Sequence, residues 1–541
     1  MGVAGAAPAP EEAPSAAPAP AEKERPEGYQ GVVGELRSWD LKAAGRLLSE
    51  LRQKSPGLPE WDALDGAKAY LEGNYAVSIA RLNEALRKSP GDSEWLELRL
   101  HVKQSQAGIQ GFRVHRTENF EIHYNPGTDS VLLPYISGAL EAAHRIFGKE
   151  LGVSLKSRVR VEVFSDPDRF HKASTLRRRD IEKGVVGLTK FNKILIISPG
   201  ALQRGYRWLD TAAHEYVHFL ITKGTRNRTP IWLHEGIAKF LEKKWRTKLN
   251  LPTLNPVDEA LLAKARANDS FISFKRMEPS LIYLKTAEEV QLAYAEGASV
   301  ADFIQRRGGK SALRRMLRAI REGDNKNRLP KGAKGAKGAR AEGPMAQRAR
   351  PSLVELESTG PPQSAGPGLR ALFGVELAQF EELWKKDLKS KPLRVHSGAR
   401  VRRFRLKATG PIDESGADLA ALNSAVARRR TRLADRLWLR GRVKAAWVEY
   451  RRALRDEPAS PELLNRMARV EIRLGRPDRA LRSLEKAVAV DPDYGASYIH
   501  RGIAFEMKKN LKSARRAWEE AIHINPFNPL PHDRLAFIYE R

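Results

Sequence analysis

The stretch Thr211-Ala-Ala-His214-Glu215-Tyr-Val-His218-Phe-Leu220 decides how the rest of this 541-residue chain is read. It places the pattern H-E-x-x-H inside an apolar run. On a helix, His214 and His218 lie one turn apart and project from one face, so both imidazoles can reach a single metal ion. Glu215, one step round, is placed to hold and deprotonate a water on that metal. Asp210 is expected to cap the helix, and Gly224 to lie just past its end. The competing reading is an accidental pair of histidines on a surface helix, so the neighbouring sequence has to decide.

Eleven residues beyond His218, Thr229-Pro230-Ile-Trp-Leu-His234-Glu235-Gly236-Ile-Ala-Lys-Phe-Leu-Glu242 opens a second helix, with Thr229 as its expected cap and Pro230 in its first turn. A zinc held by two histidines needs a third protein ligand and one open position. Either Glu235 or His234 could supply that ligand, but adjacent helical residues point about 100° apart, so the helix offers one of them and not both. Glu235 shares a face with Ala238, Lys239 and Glu242, and the small Ala238 lets that face approach the first helix. His234 turns toward the apolar side with Ile237 and Leu241, where a packed histidine is the plainer reading. The metzincin pattern is excluded, because it requires glycine at position 221 and histidine at 224, where the chain has Ile221 and Gly224.

Composition bounds the alternatives. Ninety-five Lys and Arg against 65 Asp and Glu leave a net charge of +30, while an apolar fraction of 41% is enough to build packed cores. The chain has no cysteine, which excludes disulfides, cysteine nucleophiles and every cysteine-based zinc site. No apolar run reaches the ~18 residues that a membrane span needs. Residues 1–28 are Ala, Pro and Glu, too poor in large apolar side chains to order, and are expected to be a disordered lead-in. Their Ala-Pro style resembles the linker that follows a cleaved export signal. A signal upstream of Met1 would place the protein in the periplasm or cell envelope, and otherwise the cytoplasm is expected.

The rest of the chain divides by period. From about 433 to 541, Gly441 and Gly475, then Ala446, Ala480 and Ala514, then Ala453, Ala487 and Ala521, then Pro458, Pro492 and Pro526 recur every 34 residues. Small residues let two antiparallel helices approach and the proline ends each pair, as in a helix-turn-helix repeat. Residues 29–108 show the spacing once, with Gly73, Ser78, Ala85 and Pro90. Between these blocks, 109–323 reads as an α+β domain rather than a parallel βαβ sheet: strands at Phe112–Val114, Phe120–Tyr124, Val159–Phe164 and Lys193–Ser198 come first, and helices follow from Asp210. A strand beside the motif helix, Gly184–Thr189 or Lys193–Ile197, is the candidate edge for an extended substrate. In 324–368, Lys331, Lys334, Lys337 and Arg340 mark a basic, low-complexity, solvated insertion. Helical spacing returns at 369–395, and 396–432 reads as a basic linker containing Arg400, Arg402, Arg403 and Arg405.

The 34-residue columns resemble tetratricopeptide repeats. H-E-Y-V-H followed by P-I-W-L-H-E-G-I-A-K-F-L-E resembles the gluzincin clan of zinc peptidases, whose third ligand is a glutamate in a W-L-x-E-G-x-A segment, and most closely its bacterial peptidase MA-like group. The resemblance covers roughly residues 112–320, with the helix near 370–388 as a tail. It implies a thermolysin-like domain flanked by helical repeats, Zn2+ as cofactor, and His214, His218 and Glu235 as its ligands. In related enzymes a tyrosine or histidine of a later helix supports the oxyanion, and Tyr294 resembles that residue by its position. The alternative for Tyr294 is a core aromatic with its hydroxyl at the rim. The gap from His218 to Glu235 is shorter than in aminopeptidase N-type relatives and no G-A-M-E-N segment is present, so endopeptidase action on a peptide or protein substrate is expected rather than removal of amino-terminal residues.

The expected function is therefore a zinc-dependent endopeptidase whose repeats recruit a substrate or protein partner. An inactive peptidase-like scaffold is the alternative, against which the intact His214, Glu215, His218 and Glu235 set argues. Nucleic-acid binding is disfavoured, since the basic residues are not interleaved with aromatics and many fall on repeat helices.

Overall fold

The computed structural model describes residues 25–174, 176, 180, 185–246, 251–278, 281–323, 363–396, 399, 406 and 414–540. Most of the lead-in, the insertion as far as 362, Gly184, and Arg400, Arg402, Arg403 and Arg405 lie outside the described residues. The structure is mostly helical around one small sheet. Among the described residues, no helix is long and apolar enough to cross a membrane.

The sheet has strands β1 (Arg113–Arg116), β2 (Phe120–Tyr124), β3 (Val159–Phe164), β4 (Gly187–Lys190) and β5 (Lys193–Ile197), in the order β1-β2-β3-β5-β4. β1 and β4 run antiparallel to their neighbours, but β2, β3 and β5 are mutually parallel. The reading of a sheet without parallel βαβ character is corrected here. The helix Leu133–Leu151 links β2 to β3 and packs against the motif helix, so the centre of the sheet is a helix crossover with strands covered on both faces. All five residues of β5 are buried, which is why its sequence shows a run of isoleucines rather than alternation.

Five helices fill residues 29–108 and dock on this sheet through charge. Glu162, fully buried on β3, accepts from Tyr75 Oη (2.7 Å) and Arg160 Nε (2.7 Å) and lies 3.3 Å from Lys193 Nζ. A buried carboxylate is tolerated only with such partners. The partners hold Glu162 down to about 2, although burial alone would raise it.

At the other end of the chain, the helix pairs Ala425–Leu439 with Val443–Asp456, Pro461–Arg473 with Pro477–Val490, and Gly495–Met507 with Leu511–Ile524 stack in sequence, followed by Pro529–Tyr539. The first of these helices starts inside the stretch read as linker. The alanine columns at 446, 480, 514 and at 453, 487, 521 are all buried between helices. The glycine column has a conformational cause. Gly441 and Gly475 sit in the turn of their pairs at φ 69° and 72°, and the third pair places Lys509 there at φ 58°. The amino-terminal helices repeat this requirement, with Gly73 at φ 78° and, 34 residues earlier, Trp39 at φ 57°.

A left-handed residue with a Cβ costs roughly 1–2 kcal/mol, so Gly475→Ala should lower the stability of the repeats by about 1 kcal/mol and Lys509→Gly should raise it by up to a similar amount. Thermal melting of the two variants beside the parent chain checks both signs.

Candidate metal centre

The motif helix runs from Trp208 to Thr225 and is buried along most of its length. Its expected caps are not used. Arg207 holds the N-cap position, and the Asp210 carboxylate is taken instead by Arg246 Nη2 (2.6 Å) and Trp245 Nε1 (3.0 Å). Gly224 is still helical, and Arg226 at φ 54° ends the helix. The second helix, Ile231–Leu241, begins after Pro230 rather than at a threonine cap, and the buried Thr229 hydroxyl bonds Thr225 Oγ1 at 3.0 Å.

Three of the sequence-predicted side chains meet between these helices. His218 Nε2 lies 3.0 Å from His214 Nε2, and Glu235 Oε2 lies 3.1 Å and 3.4 Å from those two nitrogens. One ligand atom from each of His214, His218 and Glu235 fits within 4.8 Å of the others, and among the described residues this is the group of such side chains able to hold a metal ion. Tetrahedral zinc with bonds of about 2.0–2.2 Å needs ligand atoms roughly 3.3–3.5 Å apart, so the observed triangle matches its edges to within a few tenths of an ångström. Electrostatics agree. Burial would raise Glu235, but the two histidines hold it well below the usual carboxylate range. Burial would lower His214, but bonds to Glu235 and Glu242 push it up to about 10. A cluster that draws positive charge this strongly suits a cation at its centre.

His234, the other candidate, points behind the site. Its ring stacks on His218 with centroids 4.7 Å apart, its Nδ1 meets His218 Nδ1, and its Nε2 lies 3.3 Å from Thr222 Oγ1. It therefore backs His218 rather than joining the triangle. Glu242 plays the matching part for His214, with Oε2 3.2 Å from Nδ1. A carboxylate behind a histidine ligand fixes its tautomer and ring direction. The sequence carried this signal, since Glu242 follows Glu235 by two helical turns on the same face.

Glu215 turns away from the triangle, toward the edge strand. Thr189 Oγ1 donates to its Oε2 at 2.8 Å, and a Cβ on Gly187 would fall 2.7 Å from its Oε1, so β4 can pass this close only because residue 187 is glycine. Burial raises the Glu215 carboxyl above its ordinary value, the direction a general base requires. Of the two candidate edges, β4 is the terminal strand and β5 is interior. Tyr294 lies on the helix Ala287–Gly308 with its ring 6.3 Å from that of His214, edge to face. That helix meets the second helix backbone to backbone: a Cβ on Gly236 would lie 2.4 Å from Gly297 O, and one on Gly297 would lie 2.9 Å from Gly236 Cα. Neither Thr189, Gly187 nor Gly297 stands out in the sequence, because each acts through a contact with a distant segment.

Overpacking at this crossing is expected to cost about 1–3 kcal/mol. Gly297→Ala should lower the melting temperature and weaken metal binding together, since the displaced helix carries Glu235. Calorimetry and chelator competition on the same preparation check the pair.

The chain is 25% identical over 115 residues to the Hsp70-Hsp90 organising protein of Plasmodium falciparum, a match covering 21% of this chain and 46% of that relative, so it spans less than half of the relative's length. Among solved structures it is similar to the first TPR of Spaghetti (RPAP3) bound to an HSP90 peptide (23% identity, TM-score 0.22, 22% of this chain and 94% of that one). It is also similar to yeast LTA4 hydrolase in complex with bestatin (10% identity, TM-score 0.29, 79% of this chain and 64% of that one). The model of the Peptidase MA superfamily matches residues 139–342, which contain the whole candidate centre, and the tetratricopeptide-repeat model matches residues 465–529.

Proposed function

We propose that the protein is a zinc-dependent endopeptidase of the gluzincin type, with a thermolysin-like catalytic domain. The observation that carries this reading is the triangle of His214 Nε2, His218 Nε2 and Glu235 Oε2, whose edges of 3.0, 3.1 and 3.4 Å suit three ligands of one zinc ion. Zinc bound there supplies a Lewis acid that acidifies water and polarises the scissile carbonyl.

The chain's own residues do the rest. Glu242 and His234 hold the two imidazoles in direction from behind. Glu215, held by Thr189 in a buried position that raises its affinity for a proton, would as the carboxylate take a proton from the attacking water and pass it to the leaving amine. Tyr294, beside His214, supports the charge that develops on the carbonyl oxygen. The terminal strand β4, which itself carries the contacts to Glu215, offers its outer edge to an extended peptide, and a substrate gripped by backbone pairing along a strand can be cut within its length. The tetratricopeptide repeats bind a protein partner, which supports recruitment of a protein substrate. In this reading the centre is a working peptidase and not only a scaffold.

Glu215→Gln keeps size and hydrogen bonding but removes the base. Zinc content should therefore survive while peptide hydrolysis falls by ~10²–10⁴-fold. Glu235→Ala should strip the metal, whereas His234→Ala should weaken it by no more than the ~10–100-fold of an outer partner. Metal analysis and cleavage of a panel of internally quenched peptides read all three variants. A parent chain that binds zinc and cleaves nothing in the panel would replace the enzyme with the scaffold, and a tight zinc complex in Glu235→Ala would remove Glu235 from the site.

A further inference from the structure

The segment 198–207, which leads from β5 into the motif helix, is held along its length by the carboxy-terminal repeats. A Cβ on Gly200 would fall 2.8 Å from the Phe527 ring, and one on Gly205, at φ 65°, would fall 2.2 Å from Ile524 O. Tyr206 N donates to Ile524 O at 3.1 Å, and Arg204 pairs with Glu462 and Asp418. Arg207, the N-cap residue of the motif helix, donates from Nε to Asp493 (2.6 Å), from Nη1 to Glu520 (2.7 Å), and from Nη2 to Pro492 O (2.9 Å) and Tyr498 Oη (3.0 Å).

Glu520 has a second connection. Its Oε1 accepts from Arg246 Nη1 at 2.7 Å, and Arg246 Nη2 donates to Asp210 at 2.6 Å. The Arg246 and Asp210 side chains are 5% and 7% exposed, so this chain of charges lies in the interior, where each link is directional and loss of one partner strands the next. Both routes lead along the backbone toward His214. Asp210 precedes His214 by one turn on the motif helix, and Arg246 follows by four residues the Glu242 that bonds His214 Nδ1. A single carboxylate of the last helix pair thus ties the start of the motif helix to the end of the segment that follows the second helix.

We propose that Glu520 is a positioning residue for the metal centre, acting through Arg207 and Arg246, so that the last repeat sets the direction of His214 and is part of the catalytic unit. This rests on the reading of the centre as a zinc site.

The test uses the full chain carrying Glu520→Ala, beside Glu506→Ala as a control whose carboxylate, among the described residues, bonds Trp518 and Arg534 within the repeats. Four readouts are taken: zinc affinity by chelator competition, the visible spectrum of the cobalt-loaded protein, kcat and KM, and amide exchange over residues 208–214. Glu520→Ala should weaken zinc by about 10-fold, the low end of the ~10–100-fold typical of outer partners, shift the cobalt spectrum, and lower kcat with KM little changed. Glu506→Ala should lower the melting temperature and leave affinity and spectrum alone. Parent-like affinity and spectrum in Glu520→Ala overturn the proposal, and so does an equal change in Glu506→Ala, which would mean general loosening of the repeats. If Glu520→Ala does not fold, Glu520→Gln, which can still accept one of the two arginines, carries the same comparison. Failure of the parent chain to bind zinc sinks the zinc reading instead. The link is then judged by exchange alone: faster exchange at 210–214 in Glu520→Ala upholds it, and unchanged exchange overturns it.

Discussion

Two imidazole nitrogens and a carboxylate oxygen facing one another at 3.0–3.4 Å inside a protein form an arrangement that does not assemble by itself. Each group loses its hydration, and an ionised carboxylate in the interior costs several kcal/mol unless positive charge meets it. The surrounding structure reads as the means of enforcing this convergence. The motif helix is buried on nearly all sides, which fixes the rotation that brings His214 and His218 forward. The second helix approaches close enough to deliver Glu235 because Gly236 meets Gly297 with no side chain between the backbones. Glu242 and His234 stand behind the two imidazoles, so the rings cannot turn away.

The placement of Glu215 shows the same economy by a different route. A base must stand near the metal and yet not ligate it, and adjacency in sequence to His214 does not secure that. What keeps Glu215 off the triangle is β4: Thr189 holds one carboxylate oxygen and the absent side chain of Gly187 makes room for the other. Under the proposed function, the strand that offers its edge to a peptide is also the strand that aims the base. A shift of β4 by one residue would exchange Thr189 for a neighbour facing the opposite side of the sheet.

Features that repeat at a local spacing were legible in the sequence. His214 and His218 at i and i+4, Glu235 on a face with Ala238 and Glu242, and four columns at a period of 34 all follow from helix geometry and need no knowledge of distant residues. Readings that assumed local partners failed where a distant partner was stronger. Asp210 has the chemistry of a cap, but Arg246 lies against it and a buried ion pair outweighs a bond to a backbone amide. Thr229 likewise gives its hydroxyl to Thr225. The parallel centre of the sheet escaped notice because β2, β3 and β5 are short and buried on both faces, and their order is set by the crossover helix rather than by any pattern within the strands.

The repeats bring out the difference between a constraint imposed on every unit and one imposed on a single unit. The left-handed turn is required in each helix pair, so glycine recurs at 73, 441 and 475, and Trp39 and Lys509 accept the same backbone where the column breaks. Such a requirement leaves a period that the sequence displays. Docking against the domain that holds the candidate centre falls mainly on the last pair, with Glu462 of the preceding pair meeting Arg204. Asp493, Tyr498 and Glu520 receive Arg207, while Ile524 and Phe527 receive Gly205 and Gly200. No other unit needs those side chains, so they add nothing to the repeat pattern and look like ordinary surface choices until the two domains are seen together. The period thus identifies what the repeats are, and the departures from it mark where they are attached.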